Sequence, residues 1–545
     1  MHIHWIDLTI IIVYLLGITG IGCFSGRHQA DSSSEYFLAA RSLRWPVIGL
    51  ALFATNISTV HLIGLASSGY SDGMVIGNFE WMAPFLLVLL GLVFAPFYFR
   101  TKIATLPEYL EGRYGPASRT ILAFMAIIAA LFIHIGVTLY AGAVMFQSFV
   151  EIDILWSILI VSALTLAYTA LGGLKAVVVT ESIQTVLLLL GAASVTVFGI
   201  LALGERGIDS LETLREAARP NQLSMIRTDG EFAWYVMLLG YPVLGIWYWC
   251  SDQTIVQRVL GAETERDAQI GPLFAGIIKV LPVFFMVLPG VIGYVLFQDQ
   301  IADNPDQTLI VMIQELLPVG IRGLVIAGLL AALMSTVAGA LNSTATLVSM
   351  DLVKRIRPQT ADHTLVRIGQ VTVAVVLAIA IAWSTQGERF GGIFKGINQM
   401  ISVLAPPISA VFIWGVLWKR ATSQAAICTL VLGFLLGAAV FCVDFPAVSG
   451  FFLGYQENGD PTRLFTKEWG IPFMMQAWWL FLTCSIILVM VSLMTPPPSE
   501  EQVQRYCWSS PLASITEKPI EGVGDPRVLS IGLCLVIGSL YYIFA

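Results

Sequence analysis

Apolar runs long enough to cross a bilayer recur along the whole chain, and nothing else in the sequence constrains its fold as strongly. Spanning the hydrocarbon core takes about 20 residues of helix. Such runs begin near residues 5, 46, 77, 119, 154, 182, 232, 268, 320, 364, 392, 423, 475 and 528. An all-α polytopic membrane protein of about fourteen transmembrane helices is therefore expected. Composition agrees, since 57% of the 545 residues are hydrophobic and only 12% are charged, a balance that water-soluble domains could not cover. The run at 232–250 is the most interrupted, because Gly240, Tyr241 and Pro242 fall inside it. The first run, Trp5 to Phe24, has no basic leader and exceeds a signal-peptide core, so it reads as a retained helix.

The loops are too short for an extra domain, the longest being 204–231 and 443–472, and residues 1–545 read as one transmembrane unit. Of the 29 Lys and Arg, 19 follow odd-numbered spans and 9 follow even-numbered ones. Positive charge favours the cytoplasmic side, which turns both termini outward in a plasma membrane or a bacterial inner membrane. The net charge of −7, with no basic run interleaved with aromatics, argues against a nucleic-acid partner. Seven scattered cysteines without a CxxC pair imply neither a disulfide framework nor a zinc site. No Ser/His/Asp set or His/acid cluster suggests an enzyme.

Polar residues inside the apolar runs carry the functional signal. The second run contains Ala54, Thr55, Asn56, Ile57, Ser58 and Thr59, then His61, between glycines at 49 and 64. Such a helix is broken or wetted, as at a transporter's binding site, or else its polar groups bond to neighbouring helices. Five spans later Trp247, Tyr248, Trp249, Cys250, Ser251, Asp252 and Gln253 form another polar and aromatic cluster. Two disrupted helices at that separation suit an inverted repeat of five helices, although aromatics at a membrane face also serve as interfacial belts. Ala332, Ser335 and Thr336 stand at i, i+3 and i+4, placing one carbonyl and two hydroxyls on one helix face. They make a partial cage for a hard cation, or hydroxyls that bond back to the preceding turn. Lys279 lies deep in an apolar run, where an ammonium costs at least ~2.5 kcal/mol unless it faces a cavity or a partner. An ion pair with Glu181 is the structural alternative. Glu80, at the start of the third run, is favourable near a helix N-terminus in any case.

Taken together, Leu52–Asn56 (LFATN), Gly77–Trp81 (GNFEW), Leu171–Val177 (LGGLKAV), Trp247–Gln253 (WYWCSDQ), Ile255–Arg258 (IVQR) and Leu404–Pro407 (LAPP) resemble the sodium/solute symporter family. Within it the likeness is greatest to the sodium/glucose cotransporters, from about residue 5 to 420. The resemblance implies a LeuT-type 5+5 inverted-repeat fold. In it, 5–24 is an extra N-terminal helix, 46–205 and 232–420 are the repeats, and 421–545 holds additional C-terminal helices. It further implies that Na+ is the coupling ion, with no organic cofactor. The ion's ligands would be the carbonyls of Ala54, Ile57 and Ala332 and the hydroxyls of Ser335 and Thr336, all hard donors. For the solute it implies Asn56, His61, Glu80, Tyr248, Trp249 and Lys279. Asn398 occupies a position where the family has Gln, with Gln399 next to it. These groups suit a polyol, offering donors and acceptors for hydroxyls and an aromatic face for the ring. Where family members hold a second sodium ion this chain has Glu181, Ala338 and Gly339, without the hydroxyls, which implies one ion per solute. The rival readings are sodium-coupled uptake of a sugar acid or other small organic anion met by Lys279 or His61, and a channel.

Overall fold

In the computed structural model, residues 3–26, 32–150, 152–302, 304–385, 393–456, 459–516 and 519–545 are described, without the side chains of 150, 393–395 and 447. Arg27, Arg389 and Lys518, which entered the charge count above, lie outside them, as does the side chain of Lys395. Among the described residues no β-strand forms, and helices account for nearly everything. Those that span the bilayer or carry the site begin with α1 (Trp5–Ser25), α2 (Trp45–Asn56), α3 (Thr59–Ser71), α4 (Met74–Thr101), α5 (Pro116–Phe149) and α6 (Ile154–Glu205). Next come α7 (Trp234–Gly245, continued by a π turn, Ile246–Ser251), α8 (Gln253–Leu260), α9 (Glu265–Ile301), α10 (Ile321–Ile356) and α11 (Asp362–Ser384). The chain ends with α12 (Ile393–Leu417), α13 (Ser423–Asp444), α14 (Phe473–Met494) and α15 (Pro526–Ile543).

Among the described residues, eleven helices are long and apolar enough to cross a membrane, or twelve when the bent pair α2 and α3 counts as one span. The expectation of about fourteen differs for two physical reasons. First, α6 runs through 52 residues, but Gly173 interrupts it with φ 55° and ψ −156°. The chain reverses there, because Gly22 of α1 packs against both Tyr168 and Thr180. Glycine is required at the corner, where a Cβ would stand 2.4 Å from the carbonyl oxygen of Tyr36. Second, the run at 232–250 carries Pro242 and several Trp and Tyr, which keep α7 below the apolarity of the other spans.

The break between α2 and α3 bends the chain by 62°. Ile57 and Ser58 are extended there (ψ 103° and 174°), and the Ser58 amide donates to Nδ1 of His61 at 3.4 Å. A second break follows the π turn of α7, where Asp252 is extended and its Oδ1 accepts the Thr254 amide at 2.9 Å, capping α8. Between these breaks stands α10, the most enclosed of the described spans, with Ser335 and Thr336 both buried. Its N-terminus is held by Asp7 of α1, whose Oδ1 accepts the amides of Gly320 and Gly323 at 2.7 and 2.8 Å. A carboxylate on unpaired helix N-terminal amides is both a cap and a favourable dipole partner. Asp7 thus sets the position of the helix that carries Ser335 and Thr336.

Candidate functional site

The broken helix α2/α3 frees backbone carbonyls at membrane depth, and α10 meets them. Ser335 Oγ donates within 2.9 Å of the carbonyl oxygens of both Ala54 and Ala332, and Thr336 Oγ1 lies 3.1 Å from that of Thr55. Ile57 stands at the break itself, one residue beyond the end of α2. Ala54, Ala332 and Ser335 therefore converge through three oxygens, with Thr336 one residue further along α10. All are neutral hard donors, so the cluster fits a small monovalent cation, whose arrival would turn the hydroxyl protons away and the lone pairs inward.

The same break presents the side chain of Asn56 to a central cavity lined by His61, Glu80, His134, Tyr241, Tyr248, Trp249, Lys279, Thr336 and Asn398, among others. Lys279 ends the first part of α9, where the helix loosens ahead of Pro282, and its ammonium reaches inward. It is paired with Glu80 and donates to Asn56 Oδ1 at 2.5 Å. Asn56 Nδ2 in turn donates to the Tyr248 hydroxyl at 3.1 Å. The Trp249 ring lies 5.6 Å from the Lys279 ammonium and meets Tyr248 edge-on. Glu80 owes its place to Asn78, whose Nδ2 bonds the carbonyls of Val75 and Met225 at 2.8 Å and whose Oδ1 accepts from Tyr541 of α15. The last helix therefore braces the turn that carries the acid.

Asn56, His61, Glu80, Tyr248, Trp249, Lys279 and Asn398 share this cavity, whereas Gln399 does not. One residue of helix rotates it by about 100°, and it faces a separate crevice with Ser402, Phe441, Asp444 and Gln476. Nor does Lys279 pair with Glu181, because its ammonium is taken by Glu80. Glu181 is taken by Arg258 of α8, with 2.5 and 3.3 Å contacts, and by Thr55 Oγ1 at 2.8 Å, all fully enclosed. Arg258, counted above among loop cations, is thus a core residue and carries no weight in orientation.

His134 was missed by the sequence reading. It lies between Ile133 and Ile135 in a π turn of α5, lines the cavity, and places Nε2 at 2.7 Å from Asp252 Oδ2. Its signal was the one that singled out Lys279, an ionisable side chain far from the ends of an apolar span.

Comparison with known proteins gives a consistent answer. The chain matches the family model "Sodium:solute symporter family" over residues 36–433. It is 34% identical to the sodium/myo-inositol cotransporter of Homo sapiens, covering 91% of this chain and 74% of that one. It is 32% identical to sodium/glucose cotransporter 1 of Oryctolagus cuniculus, covering 92% of this chain and 81% of that one. A solved structure of a Na+-coupled sialic acid symporter superposes with a TM-score of 0.77 over 91% of this chain and 99% of that one, at 19% identity, and shows that the fold is shared. The all-α architecture of LeuT type, the broken helix and the family match lead to one conclusion: this chain is an integral multi-pass membrane protein that belongs to the sodium:solute symporter family.

Proposed function

We propose that the protein couples the inward movement of one Na+ to the uptake of one neutral sugar or polyol by alternating access, with Ala54, Ile57, Ala332, Ser335 and Thr336 as the ion's ligands. One observation carries this reading: consecutive residues of the broken helix serve both partners. The carbonyls of Ala54 and Thr55 meet the α10 hydroxyls, while the Asn56 side chain enters the solute cavity. An ion that fixes the break also fixes Asn56, and coupling of this kind is reciprocal. Asn56, His61, Glu80, Tyr248, Trp249, Lys279 and Asn398 then form the solute site, and Gln399 stands outside it. The repeats are taken as 46–205 and 232–420, preceded by 5–24 and followed by 421–545, with both termini outward.

The charge balance of the cavity favours a neutral solute over a sugar acid. Lys279 is neutralised by Glu80, so a carboxylate would meet no spare cation among these two. Relatives that carry myo-inositol and glucose, by their names, point the same way. The stoichiometry is supported by Gly339, where a Cβ would lie 2.5 Å from Arg258 Nη2 and 3.2 Å from Glu181 Oε1. A tethered guanidinium stands between Glu181 and α10, where a second ion would have to compete with it.

One charge at about 100 mV gains ~2.3 kcal/mol, and a tenfold sodium gradient adds about 1.4. One ion then concentrates a neutral solute by roughly 500-fold, and two would square that figure. The test uses proteoliposomes with labelled glucose, myo-inositol and glucuronate at set gradients. Sodium-dependent uptake of a neutral probe with a reversal potential of one charge per solute is expected. Uptake of glucuronate alone would refute the neutral substrate, and a ratio near two would refute the single ion.

A further inference from the structure

We propose that His134 is an additional solute-contacting residue, accepting a hydrogen bond from one solute hydroxyl through Nδ1, and that Asp252 is the positioning residue that fixes its tautomer. The inference rests on the polyol reading above. His134 is buried except where it borders the cavity, on the α5 wall. Both oxygens of Asp252 are engaged inside the protein, Oδ2 with His134 Nε2 at 2.7 Å and Oδ1 with the Thr254 amide at 2.9 Å. A carboxylate only accepts, so the shared proton belongs to Nε2. In a neutral imidazole Nδ1 is then an acceptor, and among the described residues it has no hydrogen-bond partner. Trp247 stacks on the ring at 6.1 Å and Tyr248 lies tilted at 5.9 Å, so its plane is held from the α7 side.

Such an acceptor complements the donors that line the cavity beside it. Lys279 offers only donors, and the Tyr248 hydroxyl, which already accepts from Asn56, has its proton to give. Every solute hydroxyl brings a proton of its own, and one left unmet in a buried site weakens binding. Glu80 can take one such proton from α4, and His134 takes another from α5. The ring thereby reads one position of the solute, through a residue whose orientation is set by the second helix break at Asp252.

The experiment measures sodium-dependent uptake of glucose and myo-inositol in proteoliposomes, then of the monodeoxy and monodeoxyfluoro derivatives of whichever is carried. Fluorine accepts weakly but cannot donate. For the unmodified protein, deoxy and fluoro derivatives at the carbon facing His134 should raise KM alike, by about three- to tenfold. In His134→Phe, which keeps an aromatic ring against Trp247, that penalty should vanish at this carbon and persist at the others. Asp252→Asn still caps α8, but its amide donates to Nε2 and moves the ring proton to Nδ1. The fluoro derivative should then recover affinity while the deoxy one does not. Unchanged derivative patterns in both variants, even with lower yield or turnover, would mean a purely structural pair and overturn the inference. Failure of the unmodified protein to carry either parent compound would instead overturn the polyol reading on which it stands.

Discussion

Arg258 and Lys279 are both buried cations paired with a glutamate beside the broken helix, yet they do different work. The Arg258–Glu181 pair is fully enclosed, and its remaining bonds go to protein, with Thr55 and the Thr254 carbonyl as partners. The Lys279–Glu80 pair borders the cavity and shares Lys279 with Asn56. Arginine suits the first place because its planar fork holds a carboxylate at two points and never loses its charge, whereas a lysine is a flexible point charge. Sealed and bidentate, one pair behaves as a fixed part of the scaffold. Bordering the cavity, the other is placed to exchange bonds with a solute at the proposed site.

The largest expected effect tests the sealed pair. Arg258→Met would leave Glu181 as a lone carboxylate between α2, α6 and α10, at a cost of about 3–5 kcal/mol. Thermal unfolding in detergent should register that loss. Adding Glu181→Leu should recover most of it, since an enclosed pair replaced whole by apolar residues is often near neutral. A single variant as stable as the parent would erase the distinction between the pairs. Lys279→Ala comes next, with an effect on affinity rather than stability. Water from the cavity can solvate Glu80, so unfolding should shift far less than for Arg258→Met, while solute KM rises by about 10- to 100-fold. Lys279→Arg should not rescue it, because the larger fork cannot reproduce the bond to Asn56 in the same space.

On the ion side the effects are smaller and separable. Ser335→Ala or Thr336→Ala should raise the sodium concentration for half-maximal uptake by about tenfold, the equivalent of ~1.4 kcal/mol. Solute KM at saturating sodium should change little. Sodium activation curves recorded at fixed solute decide the matter, and unchanged curves for both variants would remove these hydroxyls from the ion site.

Much of the candidate site was visible in the sequence because burying a polar group in lipid is costly enough to leave a mark. Lys279, the Ala54–Ser58 stretch and the Ser335/Thr336 pair all announced themselves as polar interruptions of apolar runs. What the sequence could not convey was pairing across distant segments. Glu80 and Lys279 are 199 positions apart, and they meet where the turn at Gly77 packs against Val283, just past Lys279. The exclusion of Gln399 from the cavity depends on the rotation of α12, which its neighbours set. The hairpin inside α6 was legible as two apolar runs, while its corner depended on one glycine conformation. His134 was legible by the same rule as Lys279, as an ionisable side chain deep in an apolar run.

The smallest expected effect falls on the Tyr248 hydroxyl, where the Lys279–Glu80 pair meets the aromatic wall through Asn56. Its hydroxyl accepts from Asn56 at 3.1 Å, and its ring meets Trp249 edge-on at 5.1 Å. Tyr248→Phe removes the hydroxyl while leaving the ring, and Asn56 keeps its bond from Lys279. One neutral hydrogen bond beside a cavity is worth at most about 1 kcal/mol, so KM should rise by no more than about fivefold, with accumulation retained. Tyr248→Ala removes the ring as well, opening the wall next to the solute. If the ring closes one path out of the cavity, as its position at the second helix break suggests, binding should persist while concentrative uptake is lost. The two variants therefore separate a bond from a gate. Equal accumulation by both would locate the gate elsewhere, and loss of accumulation in Tyr248→Phe would mean that the hydroxyl, through Asn56, carries the coupling between solute and ion.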